Sequence, residues 1–224
     1  MNRRIVALFA IVAACASSAA LGSDFALTGD LGTTGLGLHL STPLQPNLNA
    51  RFGLNYAKYK YTTSTANMKY DFNLKLNTFD ALLDYFPTDN AFRLSGGLVY
   101  NNNKIEAVGL PTAAGTYTVN GNVYTAASAG QLNGNADFHK VAPYLGLGWG
   151  NAVHKLGGWG FSADLGVLFQ GSSNTSLSNS GCTADAATCA QLGTDVAAEN
   201  ARLQEKADNL RLYPVVRIGA SYRF

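Results

Sequence analysis

Charge is scarce in this sequence. Of 224 residues only 30 are charged, or 13 %, about half the roughly 25 % of an ordinary soluble domain. An excess of one sign is scarcer still. The net charge is +2, and Arg3 and Arg4 account for all of it. Beyond them the chain carries 14 basic and 14 acidic residues. No basic surplus is left to hold a nucleic acid, and no such partner is expected. Long apolar runs are also missing. After residue 20 none approaches the ~18 residues of a spanning helix, which excludes a helical membrane protein. Cysteine and histidine number three each. No two histidines have metal-ligand spacing such as HxxxH, so neither a metal nor a cofactor is expected. No GxSxG, P-loop or GxGxxG signature occurs. Apolar residues, at 47 %, with 24 Gly, 11 Tyr and 11 Phe, are plentiful, and that composition excludes disorder.

Residues 1–20 read as a secretory signal peptide. Met1-Asn2-Arg3-Arg4 is a positive start, Ile5 to Ala14 an apolar core, and small residues follow to Ala20. Cleavage is expected after Ala20, with Ala16 a second site. Val12-Ala13-Ala14-Cys15 also matches a lipoprotein box, which would leave a lipid on Cys15. Export places Cys182 and Cys189, with six residues between them, in an oxidising compartment. A small-loop disulfide that stiffens a loop is the expectation.

Residues 21–224 are dominated by a period of two. Over Leu210–Phe224, the residues Leu210, Leu212, Pro214, Val216, Ile218, Ala220, Tyr222 and Phe224 alternate with Arg211, Tyr213, Val215, Arg217, Gly219, Ser221 and Arg223. That is far longer than a soluble strand of ~5–6 residues. Trp159–Gln170, 138–150, 91–105, 68–86 and 49–62 repeat the pattern. The last two carry phase slips, one near Asn77–Thr78 and one between Tyr56 and Tyr59, which suggest β-bulges. Leu36–Leu40 and Asp24–Leu31 complete eight strands. An apolar face turned outward and a Gly, Ser and charged face turned inward is the pattern of a transmembrane β-barrel. Short connections at 43–48, 87–90 and 151–158 alternate with long ones at 107–136 and 172–208, which places the long ones outside the cell. A hairpin turning at Asn120-Gly121 is predicted in the first long connection. A short helix over Asp195–Asn209 is predicted in the second.

The chain resembles the small eight-stranded outer-membrane β-barrels of Gram-negative bacteria, the OmpA membrane domain and OmpW-type proteins among them. The closing Ser221-Tyr222-Arg223-Phe224, with Val216 and Ile218 on the same face, resembles their C-terminal assembly signal. The resemblance implies insertion by the barrel assembly machinery. It also implies outer-membrane lipid and lipopolysaccharide as surroundings, and a place in the cell outer membrane.

Eight strands leave a lumen just wide enough for side chains. The face assignments put Arg51, Lys75, Asp80, Asp84, Arg93, Tyr144, Asp164 and Arg217 inside. Pairing 86 with 91 sets Asp84 opposite Arg93, and pairing Trp149 with Trp159 sets Tyr144 opposite Asp164. Outward Tyr85, Phe92, Trp149, Trp159, Tyr222 and Phe224 would form an aromatic girdle. His39 faces the lumen near a periplasmic end, His139 sits at the outer end of a strand, and His154 lies in a periplasmic turn. His139 is the nearest candidate for catalysis, without a sequence-adjacent Ser or carboxylate to complete a relay. The expected function is non-enzymatic: envelope structure, or binding of an unidentified surface ligand through the outer loops. The competing expectation is a narrow passive channel through the charged lumen.

Overall fold

The computed structural model describes residues 25–64, 69–88, 90–153, 158–208 and 210–224. The expected signal peptide, its cleavage sites and Cys15 lie outside the described residues, as do Met68 and His154. Eight strands form the barrel. They are β1 (Ala26–Gly32), β2 (Gly35–Gln45), β3 (Leu48–Ser64), β4 (Lys69–Tyr85), β5 (Phe92–Asn101), β10 (Val141–Trp149), β11 (Gly158–Phe169) and β13 (Leu212–Arg223). Each pairs antiparallel with its neighbour, and pairing of β4 with β5 closes the ring. Closure removes the unpaired edges that an open sheet would expose to lipid.

The barrel is inside-out relative to a soluble fold. On β11 Leu165 is 60 % exposed while its neighbour Asp164 is buried. On β13 Ile218 is 66 % exposed and Arg217 is buried. Alternation at period two delivers each pair to opposite faces. The rings of Trp159 and Tyr222 (centroids 5.3 Å apart), Tyr222 and Phe224 (5.1 Å) and Phe224 and Phe25 (5.0 Å) cluster outside the lower end. Tyr85 and Trp149 are exposed and Phe92 partly so.

Above the upper end the wall continues on one side. β6 (Lys104–Leu110) pairs with the upper half of β4, β9 (Gln131–Asp137) with β6, and β12 (Asn174–Ser180) with β9. With the upper half of β3 they make a five-stranded sheet standing on the barrel rim. β12, with the sequence Asn-Thr-Ser-Leu-Ser-Asn-Ser, has little intrinsic strand preference. Its pairing with β9 supplies what propensity does not.

Between these strands sits a cap. The hairpin β7 (Thr116–Val119) and β8 (Asn122–Thr125) turns at Asn120 (φ 50°) and Gly121 (φ 85°). Two successive positive φ angles are what a two-residue hairpin turn requires. A one-turn helix (Ala126–Ala129) follows it. The long helix runs Ala186–Asp208, beginning nine residues before the predicted start. Asp185 explains the earlier start: its carboxylate accepts the backbone N–H of Ala187 (3.1 Å) and of Thr188 (3.0 Å), a helix N-cap. Leu192 and Val196, one turn apart, are buried with Val119, Tyr124 and Leu132, which closes the cap around its own small core.

Neither predicted bulge exists. β3 and β4 pair without interruption from Leu48↔Tyr85 to Ser64↔Lys69. The slips are changes of environment. At barrel height Phe52, Leu54 and Phe79 face outward. Higher up, Ala57, Leu76, Leu74 and Phe72 occupy the opposite, concave face, where Tyr61 stacks on Phe72 at 5.1 Å. Above the membrane there is no lipid to cover an apolar outer face, so the apolar residues change sides.

Candidate functional site

The lumen carries two ionic clusters. In the lower one the Arg51 guanidinium lies between two carboxylates. Its Nη2 donates to Asp84 Oδ1 at 3.0 Å and its Nη1 to Asp164 Oδ2 at 3.0 Å. Arg93 Nη2 donates to the other Asp164 oxygen at 2.8 Å, and a second Arg93 nitrogen donates to the Gly150 carbonyl. Ser95 Oγ donates to Asp84. Five side chains from β3, β4, β5 and β11 are thereby tied together, all of them buried.

In the upper cluster Asp80 Oδ2 is the hub. It receives Arg217 Nη2 at 2.8 Å, Asn55 Nδ2 at 3.0 Å and His39 Nε2 at 3.1 Å. The other ring nitrogen, His39 Nδ1, lies 2.6 Å from Asp30 Oδ2. The contact is close but poorly aligned for a hydrogen bond, since Nδ1 has no hydrogen-bond partner. Asp30, Asp80, Asp84 and Asp164 thus face three guanidiniums and one imidazole. The column is neutral when His39 carries both ring protons. Unpaired charges here would be costly, so this balance is what permits burial.

An apolar layer lies in the lumen beside the clusters. Leu82, Val99, Ala142, Tyr144, Leu168 and Val215 pack together, all buried. The Tyr144 ring extends under the Arg217 guanidinium, 5.9 Å from it. Its hydroxyl lies against the backbone of Gly146 and Gly166, where a Cβ at either position would meet it at 2.4 Å. The glycines in this stretch make a thin wall behind a large side chain. Gly53 does the same for His39, whose ring would lie 1.9 Å from an added Cβ.

Three sequence expectations need correction. Lys75 is not in the lumen. It stands on the outer face of the upper sheet, partly exposed, with Nζ 2.5 Å from Glu106 Oε1. It was misplaced because the assumed bulge inverted the phase of β4's upper half. Asp84 does not face Arg93: Asp84 pairs with Ser95, and Arg93 with Gly148. The two side chains meet diagonally at 3.7 Å. The hairpin is splayed because Phe86 N donates to Asn47 O, and Gly150 N donates to Ala91 O, each end bonding a neighbouring connection. Tyr144 does not face Asp164: it pairs with Leu168, and Gly148 takes the place opposite Asp164. Trp149 pairs with Ala163, four residues beyond Trp159, and Trp159 pairs on its other side with Tyr222 of β13.

Asp30, His39, Asn55 and Ser95 belong to the lumen network although sequence reasoning did not assemble them. Their parity within β1, β2, β3 and β5 carried the signal. Cys182 and Cys189 are bonded, with Cα atoms 6.0 Å apart. His139 is exposed at the rim, in a recess it shares with Asp137, Ser172 and Ser173. Chain folding thus brings a carboxylate and hydroxyls near it, yet among the described residues no hydrogen bond links the imidazole to them. Asp137 is engaged by Lys104 at 3.9 Å, and Ser173 by Gln204.

The cap has one polar node. Asp195 accepts Asn120 Nδ2 (3.0 Å), Asn122 Nδ2 (2.7 Å) and the Tyr124 hydroxyl. The donated Tyr124 hydroxyl, then Asn120 and Asn122, hold its carboxyl down at about 2. Burial first, and Asp195 second, push the Tyr124 phenol up to about 12.

Comparison of structures finds two Acinetobacter baumannii proteins of similar fold. CarO is 23 % identical with a TM-score of 0.58, covering 89 % of this chain and 97 % of its own. CarO2 is 20 % identical with a TM-score of 0.57, covering 90 % and 98 %. A major outer membrane protein from Thermus thermophilus is more distant, at 16 % and 0.43. No protein-family profile matches the chain, and no curated protein matches it significantly. The fold is therefore that of outer-membrane β-barrels: a closed eight-stranded antiparallel barrel, here with two helices above it.

Proposed function

We propose that this chain is a non-enzymatic integral protein of the Gram-negative outer membrane, sealed along its lumen and acting through its external cap. It is a small eight-stranded barrel of the OmpA-domain or OmpW kind, exported behind a cleaved signal peptide and inserted through its C-terminal Val216, Ile218, Tyr222 and Phe224. The observation that carries the reading is the filled lumen. The two ionic clusters and the layer of Leu82, Val99, Ala142, Tyr144, Leu168 and Val215 occupy it. A solute would have to break buried ion pairs to pass, at about 3–5 kcal/mol for each uncompensated charge. The material above the membrane is ordered around its own core. That suits a scaffold presenting a surface, as structural support or as a binding site. Liposome swelling tests it: vesicles containing the refolded chain should shrink and recover in small sugars or amino acids no faster than empty vesicles. The competing reading, a narrow passive channel, draws support from the ionisable column that spans much of the barrel. It requires Tyr144 and Leu168 to swing out of the path, and rapid swelling would favour it.

A further inference from the structure

On the outer face of the upper sheet, lysines stand in a row. Lys58 on β3 pairs directly with Lys75 on β4, and Lys75 with Lys104 on β6. Like charges placed directly opposite across strands destabilise a sheet. Lys60 lies on the same face of β3, two residues above Lys58. Lys140 borders a rim recess with Lys104, but its position continues the lumen-facing parity of β10 and its Nζ donates to Asn102 Oδ1 at 2.9 Å, so it stands outside the row. Four of the chain's eight lysines, Lys58, Lys60, Lys75 and Lys104, thus gather on one side of one belt. The internal compensation is partial: Glu106 holds Lys75, Asp137 reaches Lys104 at 3.9 Å, and Asp71 accepts Thr62. Lys58 and Lys60 have no ion pair or side-chain hydrogen bond among the described residues.

The height of the belt identifies its partner. On the same outer face, Tyr56 lies two residues below Lys58, and Tyr100 is opposite Phe79. These exposed rings top the apolar band, as amphipathic rings do at a membrane interface. Two residues of strand place Lys58 about 6.6 Å further along β3 than Tyr56, or about 5 Å higher at the usual tilt of a barrel strand. That is the level of the headgroups of the leaflet on the cap side. With the cap outside the cell, this leaflet is built of phosphorylated glycolipid.

We propose that Lys58, Lys75 and Lys104 form a binding row for the phosphates of outer-leaflet lipopolysaccharide. Neighbouring strands are about 4.8 Å apart, so the row offers ammonium groups at close, regular intervals to one headgroup or two adjacent ones. The phosphates supply the charge that the row lacks within the chain. The inference rests on the orientation proposed above, with the cap outside, and not on whether the lumen conducts.

The test uses the refolded mature chain in phosphatidylcholine nanodiscs doped with bisphosphorylated lipid A, with dephosphorylated lipid A as the comparison. Retained lipid is counted by native mass spectrometry, and folding is checked by the heat-dependent gel shift. Wild type should retain lipid A and not its dephosphorylated form. K58Q should weaken retention several-fold, and the triple K58Q/K75Q/K104Q on the order of 10- to 100-fold. Lys58 has no internal partner, so K58Q keeps the test valid if the triple variant fails to fold. R202Q, on the cap helix, should change nothing. Undiminished retention by K58Q overturns the proposal. So does equal loss in R202Q, equal retention of dephosphorylated lipid, or comparable binding of inorganic phosphate alone to the detergent-solubilised chain. An inverted orientation would show separately, as protease access to the cap only from inside the cell envelope.

Discussion

Arg51 shows why each lumen residue depends on its neighbours. Its guanidinium stands between Asp84 and Asp164, so removing it strands two buried carboxylates at once. R51A should lower the unfolding free energy by about 3–5 kcal/mol, read from the urea midpoint in detergent micelles. A midpoint within experimental error of wild type would mean that water already reaches these carboxylates. Glycines supply the matching spaces. At Gly166 an added methyl would meet the Tyr144 hydroxyl at 2.4 Å and the Leu145 carbonyl at 2.7 Å. The backbone cannot yield, so Tyr144 must. G166A should therefore change the near-ultraviolet circular dichroism of the folded barrel, whereas G29A, whose added methyl would meet nothing within 4 Å, should leave it unchanged. Much of this residue scale was legible in the sequence. Arg51, Asp80, Asp84, Arg93, Asp164 and Arg217 lie on long alternating strands, where parity alone assigns a face. Lys75 was not legible, because parity tells which residues share a face but not which face is apolar once the strand leaves the membrane.

At the scale of elements, the cap and the barrel are held by different means. The barrel closes through backbone pairing around the full ring. The cap depends on a small apolar cluster, the Asp195 node and the Cys182–Cys189 bond. Leu192 has no exposed surface, and L192A should cost the cap about 2–5 kcal/mol. Protease cleavage within 186–208 should rise while the barrel's heat-dependent gel shift is retained. The node adds a pH dependence. Because the Asp195 carboxyl is depressed to about 2, its contribution is complete above the ordinary Asp range, about 4. It is lost as pH falls through 2. Tyr124, raised to about 12, contributes fully below its ordinary value, about 10, and loses this as pH rises through 12. Cap protection in hydrogen exchange should thus hold from about pH 4 to pH 10 and fall on both sides, with the acid loss absent in D195N. The element scale was legible where local chemistry decides, as at Asn120-Gly121. It was illegible where pairing decides. β12 is strand only because β9 lies beside it. The registers at Asp84 and Tyr144 follow from the stagger of a closed barrel and not from the nearest hairpin.

For the whole molecule, the proposed division of labour is between a sealed cylinder and an external platform. Replacing Ser172–Asp208 by a tight turn should leave the barrel able to insert, because all eight barrel strands lie outside the deleted segment. A shortened chain that cannot refold into micelles would show that the cap helix is part of the folding unit. The sealed lumen is the central claim. It is tested most directly by single-channel recording of the refolded mature chain in planar bilayers, beside D84N. Insertion is verified independently by protease protection. The account predicts silence from the wild type. D84N should also be silent, since losing one charge from the Arg51 cluster leaves the layer around Tyr144 and Leu168 in place. Steady wild-type conductance, with a current or ion preference altered in D84N, would contradict it and show an open path lined by these charges.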